Sequence, residues 1–143
     1  MMLEQQVASL KLSKCLKELG VKQESAFYWV CPQRKGLKWT LEEFPEHWVK
    51  LGTGNIDSYW GENGYFAAFT VAELGEMLPK SFRFENAEWF LDITCDLNEL
   101  RYINYRDYNS EDYLPEKGIC ADTEANARAK MLIHLIEKGM VTP

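Results

Sequence analysis

Residues 88–106 read EWFLDITCDLNELRYINYR, and this stretch decides the fold class. Two runs, Glu88 to Cys95 and Glu99 to Arg106, are rich in aromatic and β-branched side chains and are separated by Asp96-Leu-Asn98. That is the pattern of two antiparallel strands joined by a turn. In the first run Trp89, Leu91, Ile93 and Cys95 alternate with Phe90, Asp92 and Thr94. Successive strand side chains point to opposite faces, so the first set is expected to face the core.

Working outward from the hairpin, residues 107–117, DYNSEDYLPEK, read as an acidic loop bearing Tyr108 and Tyr113, and Gly118 to Ala121 as a short further strand. Asp122 or Thr123 is placed to cap a final helix whose buried stripe is Ala125, Ala129, Leu132, Ile133 and Ile136, with Gly139 at its end. On the other side of the hairpin, Thr70-Val-Ala-Glu73 has the spacing of a capping box. A short helix should follow through Leu74 and Met77 and finish near Leu78, because Pro79 disfavours helical geometry in the residue before it. Ser25 to Cys31 is short and aromatic and reads as a strand ended by Pro32. The first element is expected to be a helix from about Gln5 to Leu19, its stripe traced by Val7, Leu12, Cys15, Leu16 and Leu19 and its stop set by Gly20. These elements predict one α+β domain over residues 1–143: a small antiparallel sheet flanked by an N-terminal and a C-terminal helix, with a short capped helix between strands.

Residues 32–66 show no clear period. They hold five glycines together with Trp39, Trp48, Tyr59 and Trp60, and read as a long connection with a short strand near Leu37 to Leu41. A loop this long in a compact domain is unusual, and is either functional or partly structured in ways that periodicity does not show. Rings set among glycines and charges either close over the sheet as a second core or form a recognition surface, where rigid amphipathic side chains are favoured.

Composition narrows the functional classes. A chain of 143 residues with 46% hydrophobic content can enclose one core. No apolar run approaches the length of a membrane span, and the lysine-interrupted start lacks the apolar centre of a secretory signal, so a soluble, cytoplasmic protein without membrane contact is expected. Cys15, Cys31, Cys95 and Cys120 are widely spaced, with His47 and His134 near none of them, which predicts reduced thiols and no metal or cofactor. The net charge of -6 is uneven: residues 1–50 carry eight Lys/Arg against six Asp/Glu, and residues 51–143 carry eight against sixteen. An acidic chain repels phosphate backbones, so nucleic acid is a disfavoured partner.

Three stretches, SLKLSKCLKELGVKQESAFYWV at 9–30, FTVAELGEMLPKS at 69–81 and ADTEANARAKMLIHLIEKGMV at 121–141, resemble those of a family of small uncharacterised proteins of phages and prophages of gut bacteria. The last stretch is also loosely similar to the terminal helix of phage α-β-α sandwich domains. These motifs are capped helices and a strand, so the resemblance implies ancestry and fold rather than chemistry, and it carries over no functional residue.

Other constellations yield to simpler readings. Residues 12–29 and 69–79 each match the first half of a helix-turn-helix, but the first is followed by a strand pattern and the second by Pro79, so neither has a recognition helix. Cys31 with His47, or Cys95 with His134, are arithmetic nucleophile and base pairs without local support; an exposed, solvated His134 beside Lys130 and Lys138 is the simpler expectation. Asp107, Asn109, Glu111 and Asp112 lack the glycine and the terminal bidentate Glu of a calcium loop.

The sequence therefore predicts an accessory protein of phage or prophage type that works by binding another protein, host or phage, through Trp39, Trp48, Tyr59, Trp60, Tyr108 and Tyr113. Two alternatives stand beside it. One is a nucleic-acid module that stacks bases on these rings beside the lysines of the first helix. The other is an enzyme of unknown type, which would need a perturbed titratable group in a deep pocket.

Overall fold

Helix ends are set by local chemistry before packing selects a face. In the computed structural model, which describes residues 2–31, 38–43, 63–96 and 101–143, helix α1 runs Leu10–Glu18 and begins where Ser9 Oγ accepts from the Leu12 N–H at 3.4 Å. It closes at Gly20, whose φ of 90° is open to glycine at no steric cost. The expected start at Gln5 is corrected. Leu3–Gln5 form a separate 3-10 turn, and Val7 bridges Thr70 while the Ala8 N–H donates to Phe69 O at 2.9 Å. Val7 is fully buried as extended chain, and an apolar residue one turn before a helix mimics a member of its stripe.

Helix α2, Val71–Met77, carries the expected capping box: Thr70 Oγ1 accepts from the Glu73 N–H at 3.2 Å, and Glu73 Oε2 accepts from the Thr70 N–H at 2.8 Å. The same carboxylate also accepts from Ser25 Oγ at 2.9 Å and from the Ala26 N–H at 3.0 Å. The cap thus fastens the chain that leads into the first strand. Helix α3, Glu124–Glu137, is capped by Thr123 Oγ1, which accepts from the Asn126 N–H at 3.1 Å. All of the expected stripe is buried or packed on the core, and Ala127, Met131 and Leu135 are buried as well. The buried arc is wider than one stripe because α3 packs against α1, α2 and strands on the sheet.

The strands form two antiparallel sheets rather than the single small sheet expected. Strands β1 (Phe27–Val30), β2 (Thr40–Glu43) and β3 (Tyr65–Ala67) make one, in the order β2-β1-β3; β4 (Ser81–Phe84), β5 (Ala87–Cys95), β6 (Arg101–Arg106) and β7 (Tyr113–Ala121) make the other, in sequence order. The strand expected near Leu37 to Leu41 is β2, displaced toward Glu43 and paired with β1. The two runs pair antiparallel as expected, and the register, which the sequence left open, sets Phe90 opposite Arg106 and Cys95 opposite Arg101.

Strand β4 is not anticipated by the sequence reading. It meets β5 through a two-residue turn in which Glu85 and Asn86 both have positive φ, 50° and 62°. That is the backbone of a hairpin turn usually announced by glycine, and Glu85 conceals it. The segment read as an acidic loop to Lys117 is likewise shorter, since β7 begins at Tyr113 and pairs with β6 across a register shift between Ile103 and Tyr105. Proline and charge in β7 read as loop, but β7 is an edge strand, where both are tolerated.

The core lies where α3 meets the strands. Tyr28, Val30, Tyr65 and Ala67 from the first sheet join Trp89, Ile103 and Tyr105 from the second in one buried cluster with Leu16, Leu74, Ala129 and Leu132. Leu91 and Ile93 pack against this cluster, whereas Cys95 is exposed. Of the set expected to face the core, Trp89, Leu91 and Ile93 do so and Cys95 does not. No helix among the described residues is long and apolar enough to cross a membrane.

Candidate interaction surface

The face of the four-stranded sheet opposite α3 is built by the same alternation that builds the core. Tyr105 is fully buried, so its neighbour Arg106 emerges on the outer face, where the register aligns Ser81, Phe90, Arg106 and Tyr113 in one cross-strand row. Tyr108 folds back over this row. Its ring centroid lies 5.7 Å from that of Phe90, and the Arg106 guanidinium sits 4.9 Å from the Tyr108 ring and 5.6 Å from the Tyr113 ring. Phe90 and Tyr108 are 39% and 60% exposed, two of the three large hydrophobic residues exposed among the described ones.

Asp107 holds Tyr108 in that position. Its carboxylate accepts from Ser110 Oγ at 2.7 Å and from the Asn109 N–H at 3.0 Å, and its backbone N–H donates to Asp112 O at 3.0 Å. This is an Asx-type turn, in which a short acidic side chain replaces backbone partners. The Ser110 hydroxyl and the Asn109 N–H keep the Asp107 carboxyl below its ordinary range. The residues that suggested a calcium loop therefore stabilise a turn instead.

The aromatic residues nominated by the sequence separate. Tyr108 and Tyr113 join the outer-face cluster. Trp39 lies elsewhere, half-buried with its ring 5.3 Å from Phe66 and with Lys14 Nζ 5.1 Å above it. Lys17 Nζ stands 3.8 Å from the Tyr65 ring centroid and donates to Tyr65 O at 3.1 Å. Trp48, Tyr59 and Trp60 lie outside the described residues. Phe90 and Arg106, which complete the cluster, escaped the sequence reading: Phe90 carries a signal as the only aromatic residue in the outward set of β5, whereas only the observed hairpin register sets Arg106 opposite it.

The remaining chemical groups do not assemble into a reaction centre among the described residues. Cys95 Sγ contacts the Arg101 guanidinium and His47 lies outside the described residues. His134 is half-buried rather than exposed as expected, because the broad buried arc of α3 draws it inward; burial and Lys138 push its pKa down. Tyr102 donates to Asp96 Oδ2 at 3.3 Å, and its phenol is pushed up first by hydrogen bonding and charge interaction with Cys120 and then by the charge of Asp96. A cavity of about 200 Å³ between Val21, Met77, Leu132, Ile136, Val141 and Pro143 is apolar, and Lys22 at its rim pairs with Glu24 at 3.0 Å. No group of three His, Cys, Asp or Glu side chains converges among the described residues. No protein-family profile, curated protein or solved structure matches this chain, so the outer-face cluster stands as the guide to function.

Proposed function

We propose that the chain is a protein-binding module, an accessory protein of phage or prophage type, that engages its partner through the outer face of the four-stranded sheet. The observation that carries this reading is the exposed Phe90 and Tyr108 pair, in tilted ring contact beside Arg106 and Tyr113. Interface centres are enriched in Tyr, Phe and Arg, and rings already fixed against one another lose little side-chain entropy on binding. The exposed Glu111 and Asp112 beside the cluster supply a charged rim. The nucleic-acid alternative is weaker on geometry as well as on charge. Lys14 and Lys17 lie against the faces of Trp39, Tyr65 and Phe66, and those are the faces a base would need for stacking.

The test is affinity capture with the wild-type chain, with the double variant Phe90→Ser/Tyr108→Ser and with Lys14→Ala/Lys17→Ala. A partner retained by wild type and by the lysine variant, and lost from a normally folded Phe90/Tyr108 variant, supports the reading. Retention by the Phe90/Tyr108 variant, or loss only from the lysine variant, overturns it.

A further inference from the structure

Arginine carries five N–H donors in a planar fork and is rarely left without an acceptor. Arg106 makes no hydrogen bond or ion pair with the described residues, and its Nε is buried without a hydrogen-bond partner. Arg128, the comparably sheltered arginine, shows the usual solution, with Nε and Nη2 both donating to Glu124 Oε1 at 2.9 and 2.7 Å. What holds Arg106 instead is the pair of rings, Tyr108 and Tyr113, with Phe90 opposite it in the register.

Among the described residues no carboxylate pairs with Arg106. Asp107, next in sequence, is turned into its own loop by Ser110 and Asn109, and Asp92, on the neighbouring strand, stands opposite Asn104. The row that contains Arg106 offers it Phe90 on one side and Tyr113 on the other, with no acceptor of opposite charge. A guanidinium packed between two aromatic rings has less rotamer freedom to lose, and its terminal donors suit the two oxygens of a carboxylate.

We propose that Arg106 receives an acidic side chain of the partner, an Asp or Glu flanked by apolar residues that cover Phe90 and Tyr108. This rests on the protein-binding reading above and adds the chemistry of the bound segment. A carboxylate fits better than a phosphate, because a doubly charged group would meet the exposed Glu111 and Asp112 and a chain of net charge -6.

Two short probes test it by nitrogen-proton NMR on the whole chain: an acetylated, amidated Leu-Glu-Phe tripeptide and its Leu-Gln-Phe counterpart. The glutamate peptide is expected to shift the Arg106 Nε–H resonance and to bind about tenfold more tightly than the glutamine peptide, the factor a charge-assisted hydrogen bond supplies. Arg106→Gln should abolish that preference, while Phe90→Ser weakens both peptides together. Should Arg106→Gln fail to fold, Arg106→Lys keeps the charge without the fork and should still reduce the preference. Equal binding of the two peptides overturns the carboxylate assignment and leaves the protein-binding reading intact. Absence of any shift at Phe90, Tyr108 or Tyr113 with either peptide at millimolar concentration overturns both. Larger shifts with inorganic phosphate or with a thymidine oligonucleotide overturn the assignment in favour of a phosphate ligand, and shifts that follow protein concentration alone overturn it in favour of a second copy of the chain.

Discussion

Asn126 Oδ1 accepts a 2.8 Å hydrogen bond from the Ser9 N–H, joining the N-cap of α1 to the first turn of α3 across 117 residues of sequence. Asn126 Nδ2 in turn donates to Asp122 Oδ1 at 3.1 Å. Asn126→Ala strands a partly buried N–H and should cost about 1–2 kcal/mol, read as a lower urea midpoint at unchanged slope. Asn126→Asp keeps the acceptor but faces Asp122, so its loss should shrink at acid pH while that of the alanine variant persists.

Gly75 on α2 faces Arg128 on α3. A Cβ at Gly75 would stand 2.6 Å from Arg128 Nη1, and the guanidinium cannot swing away freely because Glu124 holds it. Alanine at an exposed helix interior position normally gains about 0.8–1 kcal/mol over glycine. In Gly75→Ala that gain should be cancelled by the displaced guanidinium, and it should return in the Arg128→Ala background. A double-mutant cycle by thermal or urea unfolding reads the coupling directly, and additive effects would show that the contact is slack.

Much of this architecture was legible in the sequence because it depends on local chemistry. The Thr70 to Glu73 box, the Thr123 cap, the Gly20 and Gly139 stops and the antiparallel pairing of β5 with β6 each follow from residue type and spacing. The features that were hidden depend on partners remote in sequence. Val7 looks helical until Thr70 bridges it, and β7 looks like a loop until β6 pairs with it. The β4 turn was hidden for another reason, since Glu85 occupies a left-handed position without announcing it. Of the interaction surface, Tyr108 and Tyr113 were visible as aromatic residues in a polar segment. Arg106 was not, because its significance lies in what stands across the sheet from it.

Tyr105 sets an alkaline limit. Its hydroxyl donates to Pro79 O at 2.7 Å inside the core, and burial holds its phenol far above the ordinary value of 10.0, while Arg128 offsets this only in part. The folded protein therefore retains a proton that the unfolded chain releases. This contribution to stability is intact below the unfolded pKa and declines as pH rises above it. Unfolding midpoints should fall above about pH 10, the ordinary tyrosine range. Tyr105→Phe should flatten part of that fall while costing about 1 kcal/mol at neutral pH.

The four thiols should differ in reactivity. Cys95 is exposed, whereas Cys15 is half-buried and its thiol is pushed up first by burial and then by the carboxylates of Glu137 and Glu18. A short pulse of iodoacetamide, followed by peptide mass analysis, should label Cys95 first and Cys15 last. The lag of Cys15 should narrow as pH rises, since more of its thiolate then forms. Equal labelling of the two at neutral pH would contradict the placement of Cys15 on the face of α1 that packs on the core.

Because α3 follows every strand in the chain and contributes to the core beneath both sheets, a growing polypeptide must wait for it. Until residues 124–137 leave the ribosome, the inner faces of β5 and β6 have no cover, and the edges of the four-stranded sheet are available for pairing with other chains. Synthesis and folding are thereby separated in time. Nascent chains that end before α3 therefore leave uncovered the inner faces that the finished protein buries.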